Sequence, residues 1–149
     1  MAISRAKRFS KKRRRGSSSK YQQGFYQVIN EDKYKQPQDR TMNKALLPEY
    51  RSSYELKAYK FFDINPDVEY WSVEAFSIKY LSPKDGRVHR YFPDVLVKFK
   101  NGEKYLIEIK PKNQTSDPVV VAKARAAKIF CENNDMKFIF LTEKELGIK

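Results

Sequence analysis

Two apolar runs, Asp94–Phe99 and Glu103–Lys110, flank Asn101-Gly102, and this stretch constrains the chain more than any other. Short strand-forming runs either side of Asn-Gly predict a β-hairpin. Side chains alternate faces along a strand, so a one-residue change of register inverts both faces. A two-residue loop at Asn101-Gly102 sets Val95 opposite Glu108 and Val97 opposite Leu106, mixing polar and apolar residues on each side. A three-residue loop, Lys100-Asn101-Gly102, with Gly102 in the left-handed conformation, sorts the residues instead. Val95, Val97, Phe99, Tyr105, Ile107 and Ile109 then share one face. Asp94, Leu96, Lys98, Lys104, Leu106, Glu108 and Lys110 take the other. The second register is the expected one.

That register sets Asp94 directly opposite Glu108, with Cβ atoms about 5 Å apart. Two carboxylates so placed repel unless a positive group lies between them. A divalent cation fills that role, and a backbone carbonyl such as that of Ile109 adds to a hard-oxygen shell. Lys110, two residues beyond Glu108 on the same face, is placed to orient or polarise an attacking water. Such a metal lowers the pKa of bound water and stabilises charge on a phosphoryl oxygen. The competing reading is a surface hairpin with ordinary Glu-Lys alternation, since Glu-x-Lys alone is common. Pro93-Asp94 followed across a hairpin by Glu108-Ile109-Lys110 is far more specific, and converging ionisable groups favour active-site chemistry.

Composition narrows the metal. The 149 residues hold one cysteine, Cys131, and one histidine, His89, which excludes an internal disulfide, a cysteine-cluster zinc site and any site needing several histidines. Oxygen ligands favour Mg²⁺ or Mn²⁺. Net charge is +13, unevenly spread: residues 1–20 carry nine Lys or Arg, among them Arg13, Arg14 and Arg15, and no acid. This tail lacks a hydrophobic period and is expected to be disordered in isolation. It suits salt-sensitive, sequence-independent binding to nucleic acid, with a solubilising tail or a segment threaded into a partner assembly as the alternative. No stretch approaches the ~20 apolar residues of a membrane span, and nothing resembles a secretory signal. A soluble intracellular protein, or one packed inside a particle, is expected.

Three regions follow: the tail, 1–20; an extended polar arm, 21–50, with scattered aromatics (Tyr21, Phe25, Tyr26, Tyr34, Tyr50) and Pro37 and Pro48; and a domain, 51–149. Within the domain Ser52–Asp63 reads as a helix capped by Ser52, and Val68–Tyr80 as extended. Ser82-Pro83-Lys84-Asp85-Gly86 is a turn and Arg87–Phe92 a further strand. After the hairpin, Pro118 opens a helix to about Asn133, with Val120, Ala124, Ala127 and Cys131 as its core stripe. Met136–Leu141 is an apolar strand, expected to lie parallel to its partner after the crossover. Thr142 and Glu145 form a capping box. The sum is an α/β sandwich around a small mixed sheet: helix, three strands, helix, strand.

These residues resemble the PD-(D/E)xK nuclease superfamily, through Pro93-Asp94 and Glu108-Ile109-Lys110. Arg51-Ser52-Ser53-Tyr54-Glu55, Tyr91-Phe92-Pro93-Asp94 and Tyr105-Leu106-Ile107-Glu108-Ile109-Lys110-Pro111 are similar to the N-terminal domain of TnsA transposon endonucleases and to the head completion nucleases of contractile-tailed phages. Chain length and the basic start favour the phage group. The resemblance spans about residues 50–142. It implies a restriction-endonuclease-like core with an antiparallel three-strand meander, and Mg²⁺-dependent hydrolysis of DNA phosphodiesters. Asp94, Glu108 and the Ile109 carbonyl would be metal ligands, Lys110 the base or transition-state stabiliser, and Glu55 an additional acid. It further implies action late in phage head assembly, after DNA packaging, with portal, neck or other head proteins as partners, in the virion or host cytoplasm. The alternative is a structural head completion protein that docks on portal or neck with little required catalysis.

Glu55 has a structural alternative as the reciprocal partner in a capping box with Ser52. His89 reads as a strand residue near the DNA surface rather than an acid catalyst. Arg87 and Arg90 are candidates for phosphate contact, and Lys123, Arg125 and Lys128 for a DNA groove, against the equal alternative of a solvated helix face. Trp71 reads as core or interface.

Overall fold

A computed structural model describes residues 23–35 and 47–148. The basic tail, with Arg13, Arg14 and Arg15, lies outside the described residues.

The central sheet has four strands: β3 (Val68–Val73), β6 (Val95–Phe99), β7 (Lys104–Ile109) and β8 (Lys137–Leu141), in the order β3-β6-β7-β8. The hairpin adopts the sorted register, with Val95 opposite Ile107, Leu96 opposite Leu106 and Lys98 opposite Lys104. Gly102, at φ +97°, supplies the left-handed residue of the loop that this register needs. β7 pairs with β8 in parallel, Ile107 beside Ile139 and Ile109 beside Leu141, as expected of strands joined through a helix.

One helix covers each face. α1 (Ser53–Ile64) packs Ala58, Tyr59 and Phe62 against Val95, Val97, Ile107 and Ile109. Each large side chain buried there contributes roughly 2–3 kcal/mol. α2 (Pro118–Asn133) covers the other face, where Ala127 and Cys131 meet Leu106 and partly buried Leu96 and Phe138. Ala124 is also buried and Val120 is half-buried, so the apolar stripe of α2 faces the sheet. Asp117 caps α2 by accepting the N–H groups of Val119 and Val120. After β8, Thr142 and Glu145 form the expected capping box of α3 (Glu143–Leu146).

The stretch expected to run extended from Val68 to Tyr80 divides in two. β3 stops at Val73, and Glu74 takes φ +50°, a left-handed conformation costing a non-glycine residue about 1–2 kcal/mol. The chain then leaves the central sheet to form a separate hairpin of β4 (Ile78–Leu81) and β5 (Val88–Tyr91). The antiparallel part of the central sheet is therefore β3-β6-β7, with the β4–β5 hairpin as an excursion between its first two strands.

Residues 23–35 and 47–50 are integral to the body. β1 (Gly24–Phe25) pairs with β2 (Glu49–Tyr50), and Tyr26, Val28, Tyr34 and Tyr50 join the core around fully buried Trp71. Tyr34 stacks edge-on against Trp71 at 4.8 Å between ring centres. Buried Asp63, near the end of α1, accepts hydrogen bonds from the Tyr26 hydroxyl and from the backbone N–H groups of Ile29 and Asn30. An aromatic segment without periodicity thus finds its place through polar capture at one helix end.

Candidate active site

Asp94 stands one residue before β6 and Glu108 one residue before the end of β7. Continuing the observed register sets them opposite each other, on the α2 side of the sheet. Buried Pro93 introduces β6; a residue without an N–H is tolerated at a strand start. The carbonyl of Asp94 accepts the Glu74 N–H at 3.0 Å. One of its carboxylate oxygens accepts the Ile109 N–H at 2.7 Å. The side chain is thereby fixed across the hairpin toward the end of β7.

Glu108 is 8% exposed, and its Oε1 is buried without a hydrogen-bond partner. A buried carboxylate oxygen left unpaired costs on the order of 1–3 kcal/mol or more, so this oxygen is available to a donor or a cation. Burial raises the Glu108 pKa to about 7, against the opposing pull of Lys110, Lys123 and the Asp94 backbone. The Asp94 carboxyl is pushed well above its ordinary value, first by burial and then by the negative charges of Glu108 and Glu55. Burial and mutual repulsion thus both disfavour the charged forms of these acids, which a nearby positive charge would offset.

Glu55 enters from the first turn of α1. Ser52 caps the helix by accepting the Glu55 N–H at 3.2 Å. The reciprocal half of the expected box is displaced by one residue: the Glu55 carboxylate accepts the N–H of Arg51 rather than that of Ser52. Its pKa is raised, by burial foremost and also by Glu74, while Arg51 and Lys110 oppose the shift. Glu55 thus serves as a cap and shares the electrostatic field of Asp94, Glu108 and Lys110.

Lys110 follows β7, its N–H bonded to the Leu141 carbonyl. With Arg51, Tyr54, Glu55, Pro111 and Gln114 it lines a cleft of about 420 Å³. Among the described residues no three Asp, Glu, His or Cys side chains converge as a metal cage. The donors on offer are two carboxylates and a strand-end carbonyl, and the orphaned Glu108 oxygen is one of them. This sparse all-oxygen set fits Mg²⁺ or Mn²⁺, which retain several waters and take further ligands from phosphate.

The expected cations divide. Lys123, on α2, lies over the rings of Tyr80 and Tyr91 at 5.6 and 5.4 Å and acts on Glu108. Arg125 and Lys128 are exposed and are rotated from Lys123 by about 200° and 140° around the helix. The structure does not gather these three on one face. Arg87 and Arg90 are exposed on the β4–β5 hairpin. His89 is bound to Asp85 at 2.8 Å near the tip of that hairpin, a surface position.

Glu74 was not legible as part of this neighbourhood. Its carboxylate pairs with Arg51 at 3.4 Å, and its charge raises the pKa of Glu55. The positive φ that turns it there leaves no mark in an apparently continuous extended run.

Residues 65–143 match the family model of the TnsA-like endonuclease N-terminal domain, a span containing Asp94, Glu108 and Lys110 and beginning after Glu55. The head completion nuclease of Enterobacteria phage T4 is 32% identical over an alignment of 125 residues, covering 67% of this chain and 83% of that protein. The family match spans more than half of the chain, and the chain belongs to the TnsA-like endonuclease N-terminal family.

Proposed function

We propose that the protein is a Mg²⁺- or Mn²⁺-dependent DNA endonuclease that acts in phage head completion after packaging, in the virion or host cytoplasm. The observation that carries this reading is the facing pair Asp94 and Glu108, with a buried Glu108 oxygen lacking a partner. Asp94, Glu108 and the Ile109 carbonyl would hold the ion, which when bound supplies Lewis-acid activation of water and of a phosphoryl oxygen. Asp94 is oriented for this by the Ile109 N–H. Lys110, at the cleft wall, orients the attacking water and offsets charge developing on the phosphate. Glu55 lines the same cleft as Lys110 and Ile109, and its charge acts on Asp94 and Glu108. Arg87, Arg90 and Lys123 flank the approach of the backbone, with Arg125, Lys128 and the tail arginines 13, 14 and 15 as outlying phosphate contacts.

The test is cleavage of linear, nicked and branched DNA with Mg²⁺, comparing wild type with Asp94→Ala, Glu108→Ala and Lys110→Ala. Each variant is expected to lose activity while remaining folded, and chelation is expected to abolish wild-type cleavage. Cleavage persisting in all three variants overturns the reading.

A structural role on portal or neck proteins is favoured by a different observation. Phe61 and Ile64 are 50% and 64% exposed, and Phe61 borders an apolar groove of about 530 Å³ with Phe99, Tyr105 and Ile139. If that role dominates, particles carrying the site variants remain infectious.

A further inference from the structure

The β4–β5 hairpin has two unlike faces. Ile78 opposite Tyr91 and Tyr80 opposite His89 form the inner face, where Ile78 and Tyr91 are buried against Leu106, Ala127 and Cys131. The Tyr91 hydroxyl donates to the Lys123 carbonyl at 3.1 Å, fastening the hairpin base to α2. The outer face holds Lys79 opposite Arg90 and, two pairs nearer the tip, Leu81 opposite Val88.

Both outer pairs are anomalous for a surface facing only water. Like charges directly opposite on neighbouring strands destabilise a sheet, yet among the described residues neither Lys79 nor Arg90 is ion-paired. Leu81 and Val88 are 63% and 65% exposed side by side. The hairpin carries four Lys or Arg, at 79, 84, 87 and 90, against one acid, Asp85, and that acid is engaged by His89. The tip is stiff: Ser82 N–H donates to the Arg87 carbonyl, Gly86 N–H to the Ser82 carbonyl, and Arg87 N–H to the Asp85 side chain.

We propose that this outer face docks on the DNA duplex, with Lys79 and Arg90 on phosphates and Leu81 and Val88 wedged against a base step. Two-stranded ribbons fit a DNA groove, and apolar side chains between cationic contacts unstack and kink the steps they enter. Val88 is six residues before Asp94, so the wedge lies within about 20 Å of the acids, roughly six base pairs of helix axis. An already unstacked step is cheapest to enter, so nicked or branched DNA is the preferred substrate class. The proposal rests on the nuclease reading only for its substrate.

The test titrates the full chain in EDTA, where no cleavage occurs, onto intact, nicked and branched duplexes carrying 2-aminopurine at successive positions. Wild type is expected to raise emission at one step and to prefer nicked or branched DNA. Leu81→Ser with Val88→Ser, both at exposed positions, is expected to abolish the rise and lower the preference about tenfold, while Leu81→Met with Val88→Ile retains both. Lys79→Ala with Arg90→Ala is expected to reduce the salt slope of affinity by about 2. A serine variant with wild-type emission and preference overturns the proposal, as does wild-type binding with no rise at any position. Cleavage in Mg²⁺ is scored separately. A cleaving wild type with indifferent serine variants sinks the wedge alone, whereas a serine-sensitive rise without cleavage sinks the nuclease reading alone.

Discussion

The Asp94 carboxylate accepts the backbone N–H of Ile109 at 2.7 Å, across the hairpin from its own strand. One acid is thereby tied to the residue whose carbonyl would complete the metal shell. The tie also separates structure from chemistry. Asp94→Asn retains an oxygen to accept the Ile109 N–H and removes a charge that Glu108 and Glu55 oppose. It is expected to fold with stability within about 1 kcal/mol of wild type, while Mg²⁺-dependent cleavage falls at least about 100-fold. Asp94→Ala is expected to lose both activity and the hydrogen bond, and to melt lower than the Asn variant. Thermal melts paired with cleavage rates distinguish the two effects.

Glu108 makes the metal-free protein sensitive to pH. Its folded pKa, about 7, stands above its ordinary value of 4.5, so the folded protein binds the proton more tightly than the unfolded chain. That contribution is fully present below about pH 4.5 and is lost as pH rises through 7. The span is at most on the order of 3 kcal/mol. In EDTA, melting temperature is expected to fall by several degrees between pH 5.5 and 8, and Glu108→Gln is expected to flatten that slope. On the proposed metal reading Mg²⁺ would replace the proton, so its stabilisation is expected to grow over the same interval; a wild-type slope unchanged in the Gln variant would contradict the assignment.

How much of this was legible depended on whether one face of an element is buried. The register of Asp94–Lys110 was readable because only one pairing sorts Val95, Val97, Ile107 and Ile109 from Asp94 and Glu108, and burial enforces that sorting. The α2 stripe was legible for the same reason. The break at Glu74 was not, because a left-handed residue that is neither Gly nor Asn gives no local signal. Nor was the docking of Tyr26–Tyr34, which depends on Asp63 and Trp71, contacts distant in sequence that no periodicity encodes. Arg125 and Lys128 lie on a different side of α2 from Lys123, a separation the helical period encodes but that leaves their role open to test.

Glu55 combines a cap with a place in the cleft, and Glu55→Gln separates these roles. The amide oxygen can still accept the Arg51 N–H, and Ser52 still accepts the N–H of residue 55. Stability is therefore expected to stay within about 1 kcal/mol of wild type. Loss of its charge beside Asp94 and Lys110 is expected to lower cleavage by about tenfold or more and to raise the Mg²⁺ concentration needed for half-maximal rate. Denaturation midpoints and a Mg²⁺ titration of rate measure the two outcomes. A variant with wild-type kinetics would leave Glu55 as a helix cap.

Asp63 tests whether residues 23–35 belong to the folded body as closely as their packing indicates. It is fully buried and accepts from the Tyr26 hydroxyl and the Ile29 and Asn30 N–H groups, while its carbonyl takes Lys33 and the Asn30 amide. Asp63→Ala strands three donors at once, each costing on the order of 1 kcal/mol or more when left without a partner. A loss of about 3 kcal/mol or more is expected, with proteolysis beginning in residues 23–35 before the central sheet is cut. Asp63→Asn, which can accept from some of these donors but carries no charge, should fall between. Because Asp63 lies at the opposite end of α1 from Glu55, cleavage per folded molecule is expected to survive in the Asn variant. Activity lost in proportion to folded protein would agree; activity lost beyond it would mean that the arm helps to shape the cleft.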